Sequence, residues 1–192
     1  AAKRFIVVEA VFETFKKALT ARMIEAKMGD PCAEDTMVGP QARLDLRDAL
    51  HVQVQKSIEK GATPVLGCEI PAGPGAFYPP SVLDDVKKGM PAFDEELFGP
   101  VAALIHAVDE AEAIRLANDT PFGLGAAVFT KDTARGERIA AEQLEAGCCF
   151  VNAFVKSDPR LPFGGIKESG YGRELGRHGI REFVNAKTVY VA

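Results

Sequence analysis

The chain has 192 residues, roughly the length of one domain. Hydrophobic residues make up 47% and charged residues 26%, an ordinary globular composition that excludes a disordered chain, a collagen-like repeat and, for want of a long apolar run, a membrane span. Its 23 basic residues against 27 acidic ones leave a net charge of −4, and without a Lys/Arg run this argues against a nucleic-acid partner.

Phe5 to Val8 reads as a short buried strand. Val11, Phe15, Leu19 and Met23 then recur at helical spacing and predict an amphipathic helix ending before Gly29-Asp30-Pro31. After a loop closed by Gly39-Pro40, Leu46, Leu50, Val54 and Ile58 predict a second helix that stops at Gly61. Strands are predicted at Thr63 to Leu66, Ser81 to Val86 and Val101 to Ala107, with a helix from Asp109 to Asn118. Gly125 to Thr130 is compatible with a strand, Asp132 or Thr133 can cap a helix to Leu144, and Cys149 to Asn152 is another short strand. Leu161 to Gly179 holds six glycines and reads as a shaped loop, and Ala186 to Val191 reads as a lone strand suited to a partner's sheet edge. Alternating strands and helices predict an α/β fold with a mostly parallel sheet.

The four cysteines at 32, 68, 148 and 149 lack CxxC spacing and a nearby histidine pair, so no metal site and no disulfide framework is predicted. Free, structural thiols in a reducing cytoplasm are the expectation, and no secretory leader is expected. Neither a P-loop nor an HExxH motif occurs, and Gly170, Gly172 and Gly176 miss the dinucleotide fingerprint by one residue.

Three stretches carry more chemistry. In Glu95-Glu96-Leu97-Phe98-Gly99-Pro100 a carboxylate stands two residues before an aromatic ring. Such a carboxylate can accept both hydroxyls of a ribose while the ring offers a flat face to a heteroaromatic base; a solvated acid beside a core phenylalanine is the alternative, which the residues alone favour. In Ser157-Asp158-Pro159-Arg160 the polar groups can bind a carboxylate, or they form an Asp-Pro turn with solvated ends. The glycine-rich run beginning Leu161-Pro162-Phe163-Gly164-Gly165 can present Phe163 to a pocket.

Together with Asn118-Asp119-Thr120-Pro121-Phe122-Gly123-Leu124 and Gly29-Asp30-Pro31 through Gly39-Pro40, these stretches closely resemble the aldehyde dehydrogenase superfamily along the whole chain. Phe154 to Leu161 followed by Pro162-Phe163-Gly164-Gly165 looks most like its succinate-semialdehyde dehydrogenases. The resemblance implies a three-layer α/β catalytic domain with a mostly parallel sheet, covering residues 1–180, and a C-terminal oligomerisation strand in residues 181–192. It implies NAD or NADP as cofactor, succinic semialdehyde as substrate and a homodimer or homotetramer. The implied reaction is attack of a cysteine thiolate on the aldehyde, hydride transfer to the nicotinamide, and hydrolysis of the thioester by a glutamate-activated water.

By the same resemblance Glu96 holds the nicotinamide ribose, Phe98 packs near the nicotinamide, and Leu124 sits beside the cofactor. Phe163 lines the aldehyde tunnel, Ser157 binds the substrate carboxylate, and Arg160 is a weaker candidate for that role. In the family the segment beginning Ala1-Ala2-Lys3-Arg4 follows the nucleophile directly, so the catalytic cysteine, the general-base glutamate and the dinucleotide-binding domain are expected upstream of Ala1. None of the four cysteines matches the nucleophile, and no catalytic residue is assigned within the chain. The expectation is therefore an inactive portion of an oxidoreductase, the alternative being a short non-catalytic homologue that acts in binding or assembly.

Overall fold

The computed structural model describes residues 2–192. The chain forms two compact units, one ending at Leu116 and the other beginning at Ala117.

The first unit is built on a four-stranded sheet in the order β1-β4-β3-β2, from β1 (Arg4–Val8), β2 (Thr63–Leu66), β3 (Ser81–Asp84) and β4 (Val101–Ala107). β1 and β3 both run parallel to β4, and β2 adds an antiparallel edge. Successive side chains of a strand point to opposite faces, and the core divides accordingly. Ile6, Leu83, Ala103 and Ile105 face Leu50 and Val54 of α2 (Leu44–Glu59) and Ala92 and Phe93 of α3 (Pro91–Asp94). Phe5, Val7, Val82, Ala102 and Leu104 face Phe12, Phe15, Leu19 and Met23 of α1 (Phe12–Glu25). Helices on both faces of one sheet give this unit three layers.

Two expectations shift here for local reasons. A 3₁₀ turn over Glu9–Val11 precedes α1, so the buried stripe begins at Phe12 and Val11 is left exposed. The strand predicted to Val86 ends at Asp84, because Asp85 takes φ 56°, a left-handed conformation that breaks an extended ladder.

α4 (Glu110–Asn118) carries the chain across the boundary at Leu116. In the second unit β6 (Gly125–Val128) pairs parallel with β7 (Cys148–Val151), and α5 (Thr133–Glu142) packs on them. The carboxylate of Asp132 accepts the Arg135 amide at 3.0 Å, so of the two expected N-caps Asp132, not Thr133, takes the place. Gly136 lets α5 approach β7 closely, since a Cβ there would lie 2.8 Å from Val151. The glycine-rich run is more regular than predicted. β8 (Ile166–Lys167) pairs antiparallel with β5 (Phe122–Gly123), and α6 (Gly176–Arg181) follows. Ala186 to Val191 joins no ladder within the described residues.

Candidate functional site

In the first unit the candidate residues sit on the turn that leads from α3 into β4. Pro91 starts α3, and the Ala92 amide donates to the buried Ser57 hydroxyl at 2.9 Å. Phe93 and Leu97 are both buried in the core, which fixes the turn at each end of the run between them. Glu96 and Phe98 flank the buried Leu97 and are both exposed, Phe98 by 69%. The core position considered for Phe98 is thereby overturned: Leu97 takes the inward place, and its neighbours are left outside.

Gly99 meets a real steric demand. A Cβ at this position would lie 2.3 Å from Leu50 and 2.5 Å from the Gln41 amide nitrogen. The Gly99 carbonyl accepts two hydrogen bonds, from the Val101 amide and from Lys3 Nζ, each at 2.9 Å. Lys3 Nζ also lies 5.7 Å from the centre of the Phe98 ring. Burial draws the Lys3 ammonium pKa below its ordinary value, and the Glu96 carboxylate opposes that shift.

In the second unit Leu124 and Phe163 meet on one shallow cavity of about 380 Å³, which Gly165, Arg173 and Phe183 also line. Phe163 is half-buried and exchanges two backbone hydrogen bonds of 2.8 Å with Glu174. The Leu124 carbonyl accepts the Cys148 amide at 3.2 Å, so its backbone is held while its side chain stays partly exposed. Arg173, to which the sequence assigned no role, ties the cavity wall together by donating to the carbonyls of Gly165 at 2.9 Å and Gly172 at 2.6 Å.

Ser157 is exposed and lines no part of that cavity. Arg160 is already engaged. Its guanidinium grips Asp158 with two bonds of 2.9 and 2.6 Å, and its amide donates to the same carboxylate. These bonds hold the Asp158 carboxyl well below the usual carboxylate range. The Asp-Pro turn is thus the local state at Asp158, with the exposed Arg160 guanidinium paired to its carboxylate.

Burial favours the neutral thiol over the thiolate at three of the four cysteines. Cys68 is buried, and burial pushes its pKa up to about 11. Burial also raises Cys148 and Cys149, the former donating its thiol to the Leu124 carbonyl at 3.2 Å. Cys32 is exposed in a loop. Two of the three histidines are engaged elsewhere: His51 Nδ1 lies 3.3 Å from the Tyr78 hydroxyl, and His106 pairs with Glu9. Among the described residues no group of three metal-ligating side chains converges, and no helix is long and apolar enough to cross a membrane.

Known proteins resemble this chain along nearly its whole length. The profile of the aldehyde dehydrogenase family matches residues 1–189. The chain is 49% identical over 190 residues to a succinate semialdehyde dehydrogenase [NAD(P)+] of Escherichia coli, covering 99% of this chain and 41% of that protein. It is 47% identical over 192 residues to a probable succinate-semialdehyde dehydrogenase [NADP(+)] of Synechocystis, covering all of this chain and 42% of that protein. A solved structure of a betaine aldehyde dehydrogenase point mutant from Staphylococcus aureus, in complex with NAD+, superposes with a TM-score of 0.91 at 34% identity, over 96% of this chain and 38% of that one. The chain therefore spans about two fifths of the length of the relatives it matches. It belongs to the aldehyde dehydrogenase family.

Proposed function

We propose that this chain forms the cofactor- and substrate-contacting C-terminal part of an NAD- or NADP-dependent aldehyde dehydrogenase, one that oxidises succinic semialdehyde to succinate. The observation that carries the reading is the turn at Glu96-Leu97-Phe98, where an exposed carboxylate and an exposed ring flank a fully buried leucine. Such a turn fits a nicotinamide ribose: the Glu96 carboxylate accepts its hydroxyls, and the Phe98 face stays dry beneath a flat heterocycle. The bound nicotinamide supplies the hydride acceptor. Leu124 adds an apolar contact beside the cofactor, and Phe163 lines the path of the aldehyde.

The nucleophile and the general base belong, in this reading, to residues outside the chain. The environments of the thiols support it, since burial stabilises the neutral form of Cys68, Cys148 and Cys149 rather than the attacking thiolate. Succinic semialdehyde is favoured by the two relatives bearing that substrate's name. The exposed Ser157 hydroxyl is the proposed donor to its carboxylate, ahead of Arg160, whose charge Asp158 already meets. Residues 181–192 form the arm through which copies of the protein associate in the cytoplasm as dimers or tetramers; the exposed Val189, Tyr190 and Val191 support this.

The test is steady-state kinetics of the intact protein with succinic semialdehyde and either nucleotide. Ser157→Ala should raise KM for succinic semialdehyde about tenfold, the loss of one hydrogen bond to a charged group, and leave KM for an uncharged aldehyde of similar length unchanged. Equal effects on both aldehydes would remove Ser157 from the carboxylate site. Absence of oxidation with either nucleotide would overturn the enzyme in favour of a binding or assembly role.

A further inference from the structure

Lys3 is placed by backbone pairing before its side chain does anything. Its carbonyl accepts the Ala103 amide at 3.1 Å, which continues the β1–β4 ladder by one residue and fixes Lys3 against β4. Alternation along this segment then sends neighbouring cations to different places. Arg4 turns toward the α3 side, with its guanidinium 5.3 Å from the Phe93 ring centre and a 3.0 Å bond to the Leu116 carbonyl. Lys3 turns toward the turn before β4, where it meets the Gly99 carbonyl at 2.9 Å and the Phe98 ring at 5.7 Å.

Lys3 is partly buried. Its hydrogen bond goes to a carbonyl and its second contact is a ring face, so burial of the charge is offset only in part. A methionine would fill the same space without that cost. The ammonium does what an apolar side chain cannot. It occupies one lone pair of the Gly99 carbonyl while Val101 occupies the other, and it draws on the face of Phe98 and the charge of Glu96 together.

We propose that Lys3 is a positioning residue for the nucleotide site: it pins the Gly99 carbonyl and the Phe98 ring so that Glu96 faces the nicotinamide ribose and Phe98 the nicotinamide in one fixed arrangement. The inference rests on the reading of Glu96 and Phe98 as nucleotide contacts. Lys3 touches neither reactant, and its effect passes through the turn. Because it lies on the strand leading into β1, it links two segments 96 residues apart in the chain.

Two measurements on the intact protein test this. In the nucleotide-free protein, Lys3→Met should speed hydrogen exchange of the Gly99 and Val101 amides about tenfold and leave the β4 amides beyond Ala103 unchanged. In titrations of NAD+ and NADP+, the same variant should weaken binding of the preferred nucleotide about tenfold, with aldehyde KM unmoved. Lys3→Arg should restore affinity to within about threefold, since a guanidinium can donate to the carbonyl and stack on the ring. Glu96→Gln and Phe98→Ala run in parallel separate the two ideas. If they weaken nucleotide binding and Lys3→Met does not, the positioning role is overturned and the nucleotide site stands. If neither weakens it, the nucleotide reading falls and takes the proposal with it. Faster exchange throughout β4 in Lys3→Met would also overturn the proposal, by making Lys3 a general support of the sheet.

Discussion

In the first unit Leu97 and Phe98 are adjacent, one wholly buried and the other 69% exposed, so an anchor and a presented ring share one short turn. In the second unit Leu124 and Phe163 lie on one cavity with neither side chain fully buried, and glycines near them leave no room for a Cβ. Gly147 packs so tightly on Gly164 that a Cβ would sit 1.7 Å from the Gly164 carbonyl oxygen, and a Cβ on Gly165 would lie 2.6 Å from that of Ser169. The first cluster is held by side-chain packing under it, and the second by glycines that let loops touch. An apolar anchor resists displacement through the area it removes from water. A glycine contact resists it through excluded volume, which a single added methyl group violates.

The difference can be broken at its strongest points first. Leu97→Ala should cost about 2–5 kcal/mol of stability, the usual range for emptying a fully buried leucine site, read as a lower urea midpoint. Nucleotide affinity should fall in the same variant, because Glu96 and Phe98 lose their common anchor. Gly147→Ala should cost about 1–3 kcal/mol or more by overpacking. Its exchange signature should be confined to residues 117–192, whereas that of Leu97→Ala should lie within residues 2–116; overlapping signatures would erase the contrast. Asp132→Ala should cost about 1 kcal/mol by removing the cap of α5, and Asp132→Ser should recover most of it.

The smallest effect is a pH dependence, carried in the first unit by Cys68. The folded Cys68 thiol has a pKa near 11 against an ordinary 9.0, because burial penalises its thiolate. The unfolded chain then sheds this proton at lower pH than the folded one. The contribution of Cys68 is complete below about pH 9 and is lost as pH rises through 11. Burial shifts Tyr78 upward as well, which acts in the same direction. Cys68→Ala should flatten the decline in stability above pH 9, as followed by thermal melts. A thiol reagent at neutral pH should modify Cys32 quickly and Cys68 only on unfolding.

Much of the fold was legible where a pattern ran long enough to repeat. Leu50 and Val54 of α2, and the apolar run of β4, appear in the structure as buried side chains. The two-residue strands β5 and β8 and the four-residue α3 escaped, because segments so short complete neither a helical period nor a strand alternation. Lys3 escaped for another reason: its partner Gly99 is 96 residues away, and no local spacing marks such a contact.

Sequence by itself carried the class of fold and the family resemblance, and that resemblance singled out Glu96, Phe98, Leu124, Ser157, Phe163 and Arg160, because residue types and their order along the chain hold such a pattern. Tertiary structure alone decided which of these face outward and which are already engaged. Glu96 and Phe98 are presented because Leu97 claims the core position between them, and Arg160 is paired because Asp158 folds back within its reach. Exposure and pairing depend on what the rest of the chain brings alongside a residue, and a one-dimensional pattern records only its neighbours in sequence.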